Sequence, residues 1–148
     1  MNNVMRTEFS AIAENEAFAR AAAAAFVLPL DPTVEELTEI KTAVSEAVSN
    51  SIIHGYGPLP DRSDARVVME CTIFSGGKLV ISIEDFGVGI DDVEKAMEPM
   101  FSTGDSEERS GMGFTVMESF MDRLKVKSEK GKVNAVIMTK YLDIVSGI

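Results

Sequence analysis

Glu46 and Asn50 stand four residues apart in a segment of helical spacing, so their side chains project from one helix face a single turn apart. A carboxylate and an amide so placed can serve one site, and they can equally form the solvated polar face of a helix. Asp85-Phe86-Gly87-Val88-Gly89 directly follows a strongly apolar run. It therefore puts a carboxylate and two glycines at a strand end, where glycine lets backbone approach a ligand closely. Gly111-Met112-Gly113 opens a later helical segment. The free N–H groups and the dipole of a helix start can cradle phosphates, although a lone Gly-x-Gly is also ordinary punctuation before a helix.

Several competing chemistries fail on context. Asp85-Phe86-Gly87 matches the triplet by which eukaryotic-type protein kinases hold Mg²⁺, but the Gly-rich loop, strand lysine and HRD loop of those enzymes are missing from a chain too short for their fold. There is no G-x-x-x-x-G-K-[ST] loop and no H-E-x-x-H zinc motif. His54, beside Gly55 at a helix end, is expected to cap carbonyls rather than to act as a base or carry phosphate. Cys71 is the sole cysteine, which excludes an internal disulfide and a CxxC site, fits a reducing cytoplasm, and predicts a buried strand residue.

The elements that must position these groups are legible from periodicity. Val4 to Ala11 reads as a strand, and Glu14 to Leu28 as a helix with Phe18, Ala22, Ala25 and Phe26 on its apolar face and Arg20 outside it. Thr33 and Glu36 have capping-box spacing after Pro32, and Leu37, Ile40, Val44, Ala47, Val48 and Ile52 keep a 3.6 period up to Gly55. Val67 to Phe74 and Leu79 to Glu84, joined by Ser75-Gly76-Gly77-Lys78, form a hairpin signature. A short helix is expected over Asp91 to Met97 and a mobile loop over Pro99 to Ser110. A helix over Gly113 to Leu124 and strands over Lys125 to Glu129 and Val133 to Tyr141 complete the chain. That order predicts an α+β two-layer sandwich, helices on one face of a mixed, mostly antiparallel sheet.

The chain has 148 residues, of which 45% are hydrophobic. That suits one domain over residues 1–148 burying roughly 70% of its unfolded surface. A net charge of -10 argues against a sequence-independent grip on nucleic acid, which needs clustered Lys and Arg. A phosphate ligand would need a cation or backbone N–H groups. The longest uncharged run, Ala21 to Leu30, falls far short of the ~20 apolar residues that span a bilayer, and no secretory signal pattern is present. These features predict a soluble cytoplasmic protein that engages neither membrane nor nucleic acid directly.

Taken in order, the three motifs resemble the N, G1 and G2 boxes of the ATPase superfamily that contains gyrase, histidine kinases and MutL, the GHKL or Bergerat ATP-binding fold. Ser45 to Asn50 with His54-Gly55-Tyr56, and Glu108 to Phe114 with Met117-Glu118, are more narrowly similar to the anti-sigma factor kinases of spore-forming bacteria. The resemblance covers essentially the whole chain, including Glu14-Asn15-Glu16 and Phe18-Ala19-Arg20.

That resemblance implies ATP and Mg²⁺ as ligands. Asp85 would accept a hydrogen bond from the adenine amino group, with Gly87 and Gly89 beside it, and Asn50 would ligate Mg²⁺ through its amide oxygen. Ser110, Gly111, Met112 and Gly113 would bind the nucleotide, Glu46 would be the general base toward a protein serine, and Arg109 would stabilise γ-phosphate charge. Arg20 resembles a family contact for partner proteins. The implied partners are a sigma factor of the sigma F type, an anti-anti-sigma protein as the serine substrate, and a second copy of the chain. Alternatives within the resemblance are a general-stress anti-sigma kinase, to which Met138 to Leu142 leans, and a sigma-binding module without kinase activity. A gyrase or MutL type of ATPase is disfavoured because no transducer domain follows.

Two departures stand out. Gly131-Lys132-Val133-Asn134-Ala135 replaces a common Gly-Thr-Thr, leaving Asn134 as a substitute for a threonine near the base. Ser102-Thr103-Gly104-Asp105 lacks the lysine that relatives often carry there.

Overall fold

The computed structural model describes residues 2–57, 63–87, 112–128 and 133–143. Gly89, Arg109, Ser110 and Gly111, and the segments expected as a short helix and a mobile loop, lie outside the described residues.

The chain opens with strand β1 (Asn3–Ser10) and helix α1 (Asn15–Val27). Helix α2 (Val34–Asn50) starts on the expected capping box: Glu36 N donates to Thr33 Oγ1 at 3.0 Å, and Thr33 N donates to Glu36 Oε1 at 2.9 Å. Strands β2 (Arg66–Phe74) and β3 (Lys78–Asp85) form the hairpin. Helix α3 (Met112–Phe120) and strands β4 (Arg123–Lys127) and β5 (Asn134–Tyr141) complete the described elements.

The sheet runs β1-β2-β3-β5-β4, and every pairing is antiparallel. Alternation along β2 and β3 sends Val67, Met69, Cys71, Leu79, Ile81 and Ile83 into the core, where they meet Ala43, Val44, Ala47 and Val48 of α2. Fully burying a large apolar side chain of this kind contributes roughly 1.5–3 kcal/mol. The layer they make holds α2 fixed along the sheet. The other sheet face carries charge, as in the Arg6–Glu70 pair at 3.2 Å.

The apolar face of α1 and the boundary between α3 and β4 differ from the sequence expectation. On α1 the buried stripe is Ala19, Ala23 and Val27, with Ala22 and Phe26 packed beside it, whereas Phe18 is 49% exposed and only its ring edge meets Phe9, with centroids 5.9 Å apart. The small alanines let α1 lie close to α2, and helix contact favoured that closeness over the larger side chain. Helix α3 stops at Phe120 rather than Leu124, because Lys140 Nζ takes the Phe120 carbonyl at 2.7 Å and Asp122 N donates to Thr139 O at 2.8 Å. Leu124 then pairs across from Met138 as a strand residue. Lys140 is only 8% exposed and also bonds Glu39 Oε1 at 3.3 Å, so a cation from β5 joins α2 to the end of α3.

Candidate nucleotide site

Regular α-helical bonding in α2 ends at Asn50, and the chain continues through one π turn, Ser51–Gly55, in which Tyr56 N donates to Ser51 O at 3.1 Å. Such wide turns are rare and are frequently found at functional sites. This one swings Gly55 against the end of β3. A Cβ on Gly55 would sit 2.9 Å from Asp85 Oδ1, and a Cβ on Gly87 would sit 2.0 Å from the Gly55 carbonyl oxygen. The backbone of the turn and the backbone after β3 can approach this closely only because both residues lack side chains.

Gly87→Ala is therefore expected to destabilise the protein by about 3 kcal/mol, the upper range for overpacking. For a chain of this size that lowers Tm by about 6–12 °C. Thermal unfolding of the purified variant measures it, and a Tm equal to the wild type's would contradict the close approach.

Asp85 is 6% exposed and faces the helix layer. Its Oδ1 accepts from Gly87 N at 3.0 Å and from Asn134 Nδ2 at 2.9 Å. Burial pushes the carboxyl above the ordinary Asp range, while hydrogen bonds from Asn134, Ser51 and the Gly87 N–H pull the other way. The result is an acceptor set at the floor of the site with its geometry fixed from three elements. Tyr56, buried beneath, donates its hydroxyl hydrogen to Arg66 O at 2.6 Å and accepts from Phe86 N at 2.8 Å. It clamps the residue after Asp85 to the start of β2.

The second half of the site lies one turn back on α2. Glu46 Oε2, Asn50 Oδ1 and Asn50 Nδ2 each lie 3.3 Å from the point where a Cβ on Gly113 would be. Glu46 and Asn50 thus share a face and converge on the first turn of α3, whose N–H groups lack intrahelical partners and carry the positive end of the helix dipole. A hard carboxylate and a hard amide oxygen beside such an N-terminus suit a phosphate-bound divalent cation. Among the described residues no group of three or more His, Cys, Asp or Glu side chains could hold a metal by itself. Met112 is the first residue of α3.

Arg20 reaches across from α1. Its Nη1 donates to Ser45 Oγ at 3.0 Å and lies 3.9 Å from Glu16, while Ser49 Oγ donates to Glu16 Oε2 at 2.6 Å. Ser45, which Arg20 touches directly, and Ser49, which it reaches through Glu16, immediately precede Glu46 and Asn50 in α2. The sequence expectation included Tyr56 in a motif but gave it no role, and it did not single out Ser51 or the Gly55–Gly87 contact. The available signal was Gly55-Tyr56 itself, since a tyrosine after a helix-ending glycine needs a polar partner when it is buried.

Residues 9–140 match the family model described as the histidine kinase-like ATPase domain. The chain is 54% identical over 140 residues to an anti-sigma F factor of Clostridium novyi, covering 95% of each chain. It is 53% identical over 145 residues to that of Clostridium beijerinckii, covering 98% of this chain and 99% of the relative. Among solved structures, the RsbU and RsbW domains of a Mycobacterium tuberculosis protein align with a TM-score of 0.68 at 15% identity, covering 96% of this chain and 32% of that one. The catalytic domain of the histidine kinase ThkA aligns with a TM-score of 0.56 at 14% identity, covering 93% and 96%. At those identities the structures support the shared fold alone.

Proposed function

Since the chain belongs to the histidine kinase-like ATPase family and, within it, to the anti-sigma F factors, we propose that it holds a sigma factor of the sporulation type and, as an ATP-dependent serine kinase, phosphorylates the anti-anti-sigma protein that would release it. ATP binding goes with the family. The observation that carries the finer reading is the convergence of Glu46 and Asn50 on Gly113 at the start of α3, with the buried Asp85 acceptor at the end of β3 lying against Gly55, the last residue of the turn that follows α2.

In this reading Asp85 accepts from the adenine amino group, with Gly87 beside it. The first-turn N–H groups of α3 bind phosphate, and Asn50 holds Mg²⁺ through its amide oxygen. The cation held there would supply charge neutralisation for the phosphates in a protein of net charge -10. Glu46 takes the proton from the serine hydroxyl as its oxygen attacks the γ-phosphorus, and the leaving β-phosphate oxygen departs with ADP. Gly89, Ser110, Gly111 and Met112 belong to the nucleotide contacts, and Arg109 stabilises γ-phosphate charge. Arg20 contributes to partner binding, and the protein acts as a homodimer in the cytoplasm. Among the described residues no helix is long and apolar enough to cross a membrane.

Size-exclusion chromatography with a sporulation-type sigma factor tests the holding role. Co-elution that strengthens with ATP and Mg²⁺ is expected, and independent elution in every condition would remove it.

A further inference from the structure

Asn134 stands directly opposite Asp85 in the β3–β5 pairing and is 8% exposed. Its Nδ2 donates to Asp85 Oδ1 at 2.9 Å and to the Gly87 carbonyl at 3.2 Å, and its Oδ1 accepts from Ser128 Oγ at 2.8 Å. These partners fix the orientation of the amide. A carboxylate and a carbonyl both need donors, and only the NH₂ end supplies two. We propose that Asn134 is a positioning residue that sets base selectivity: by donating to both Asp85 and Gly87 it keeps the Asp85 carboxylate a pure acceptor, so the site takes a 6-aminopurine nucleotide and refuses a 6-oxopurine one. The proposal rests on the ATP reading above and adds a residue that acts through Asp85.

Selectivity here is a matter of one proton. Adenine presents an amino donor at C6, whereas guanine and hypoxanthine present a carbonyl acceptor. An ionised carboxylate can only accept, but a protonated carboxyl can also donate, and it would then satisfy the 6-oxo group. Burial favours the protonated form of Asp85, and the donors from Asn134, Ser51 and Gly87 N oppose it. Losing Asn134 removes the first of those donors, frees the carboxylate to turn, and releases the Gly87 carbonyl. A side chain with one hydroxyl donor restores part of this, because it can serve only one of the two acceptors.

Equilibrium titration of ATP, GTP and ITP against wild type, Asn134→Leu, Asn134→Thr and Asn134→Val tests it, each variant first checked for cooperative unfolding. Asn134→Leu, similar in size but without polar atoms, is expected to weaken ATP binding about tenfold or more, the usual worth of a hydrogen bond to a charged group. Its ATP preference over GTP and ITP should shrink by a comparable factor. Should the leucine variant fail to fold, the Thr and Val variants, which differ by one hydroxyl, carry the same comparison, with Thr keeping part of the preference and Val losing it. A variant lacking the donor that weakens all three nucleotides equally, or none, overturns the proposal, because a merely structural residue would leave the ratio untouched. Wild-type protein that binds none of the nucleotides defeats the ATP reading itself, an outcome distinguishable because no substitution is involved.

Discussion

Glu46→Gln is expected to slow phosphoryl transfer to a protein serine by roughly 10² to 10⁴, the range over which general-base catalysis contributes, equivalent to about 3–5 kcal/mol of barrier. The substitution keeps the size and hydrogen-bonding reach of the side chain, so the contact with the first turn of α3 at Gly113 and the packing of α2 survive. What it removes is the capacity to accept a proton. ATP affinity should therefore stay close to the wild type's while the single-turnover rate falls, a split between binding and chemistry that a folding defect would not produce. Transfer at the wild-type rate in this variant would take the base role away from Glu46.

Asp85→Asn should do the reverse, costing ATP affinity about 10- to 100-fold. It places an NH₂ donor where the base needs an acceptor. The apo protein should not suffer, and the sign follows from burial. The Asp85 carboxyl is held above its ordinary range, so the folded state binds its proton more readily than the unfolded chain does. The stabilisation this gives is fully present below the unfolded pKa and is lost as pH rises through the raised folded value. Above that value the buried charge is a net cost, which an asparagine does not carry.

The apo Tm of Asp85→Asn at neutral pH is therefore expected to equal or exceed the wild type's. The Asp85 contribution to any gain in stability on acidification should also be missing from the variant. Thermal unfolding across pH, with and without ATP, measures both effects. Unchanged ATP affinity in the variant would sink the adenine assignment.

The two ends of the site were unequally legible from residue types. Glu46 and Asn50 were visible as a pair because helical periodicity is written in Ile40, Val44, Ala47 and Val48. Periodicity could not say that α2 ends in a π turn after Asn50, since one extra residue in a turn leaves the apolar pattern intact as far as Ile52. Asp85 was legible as a strand end, but its partner Asn134 is 49 residues away, and only the β3–β5 register brings them together.

The role of Tyr56 was hidden for the same reason. Its two hydrogen bonds go to backbone groups of Arg66 and Phe86, and backbone partners leave no residue type to read. The early end of α3 depends on Lys140, whose burial beside Glu39 and the Phe120 carbonyl comes from partners 101 and 20 residues away. On α1 the largest apolar side chain misled, because helix contact selected Ala19 and Ala23 for closeness over Phe18 for area.

Phosphate transfer from this pocket to a protein serine is the proposed activity. Incubating the purified protein with Mg²⁺, γ-labelled ATP and a candidate anti-anti-sigma protein tests it directly. Label is expected on a serine of the partner, stable to acid, with none retained on His54. A partner that stays unlabelled while the protein binds ATP and holds its sigma factor would contradict it, and would leave a nucleotide-gated binding module in place of a kinase.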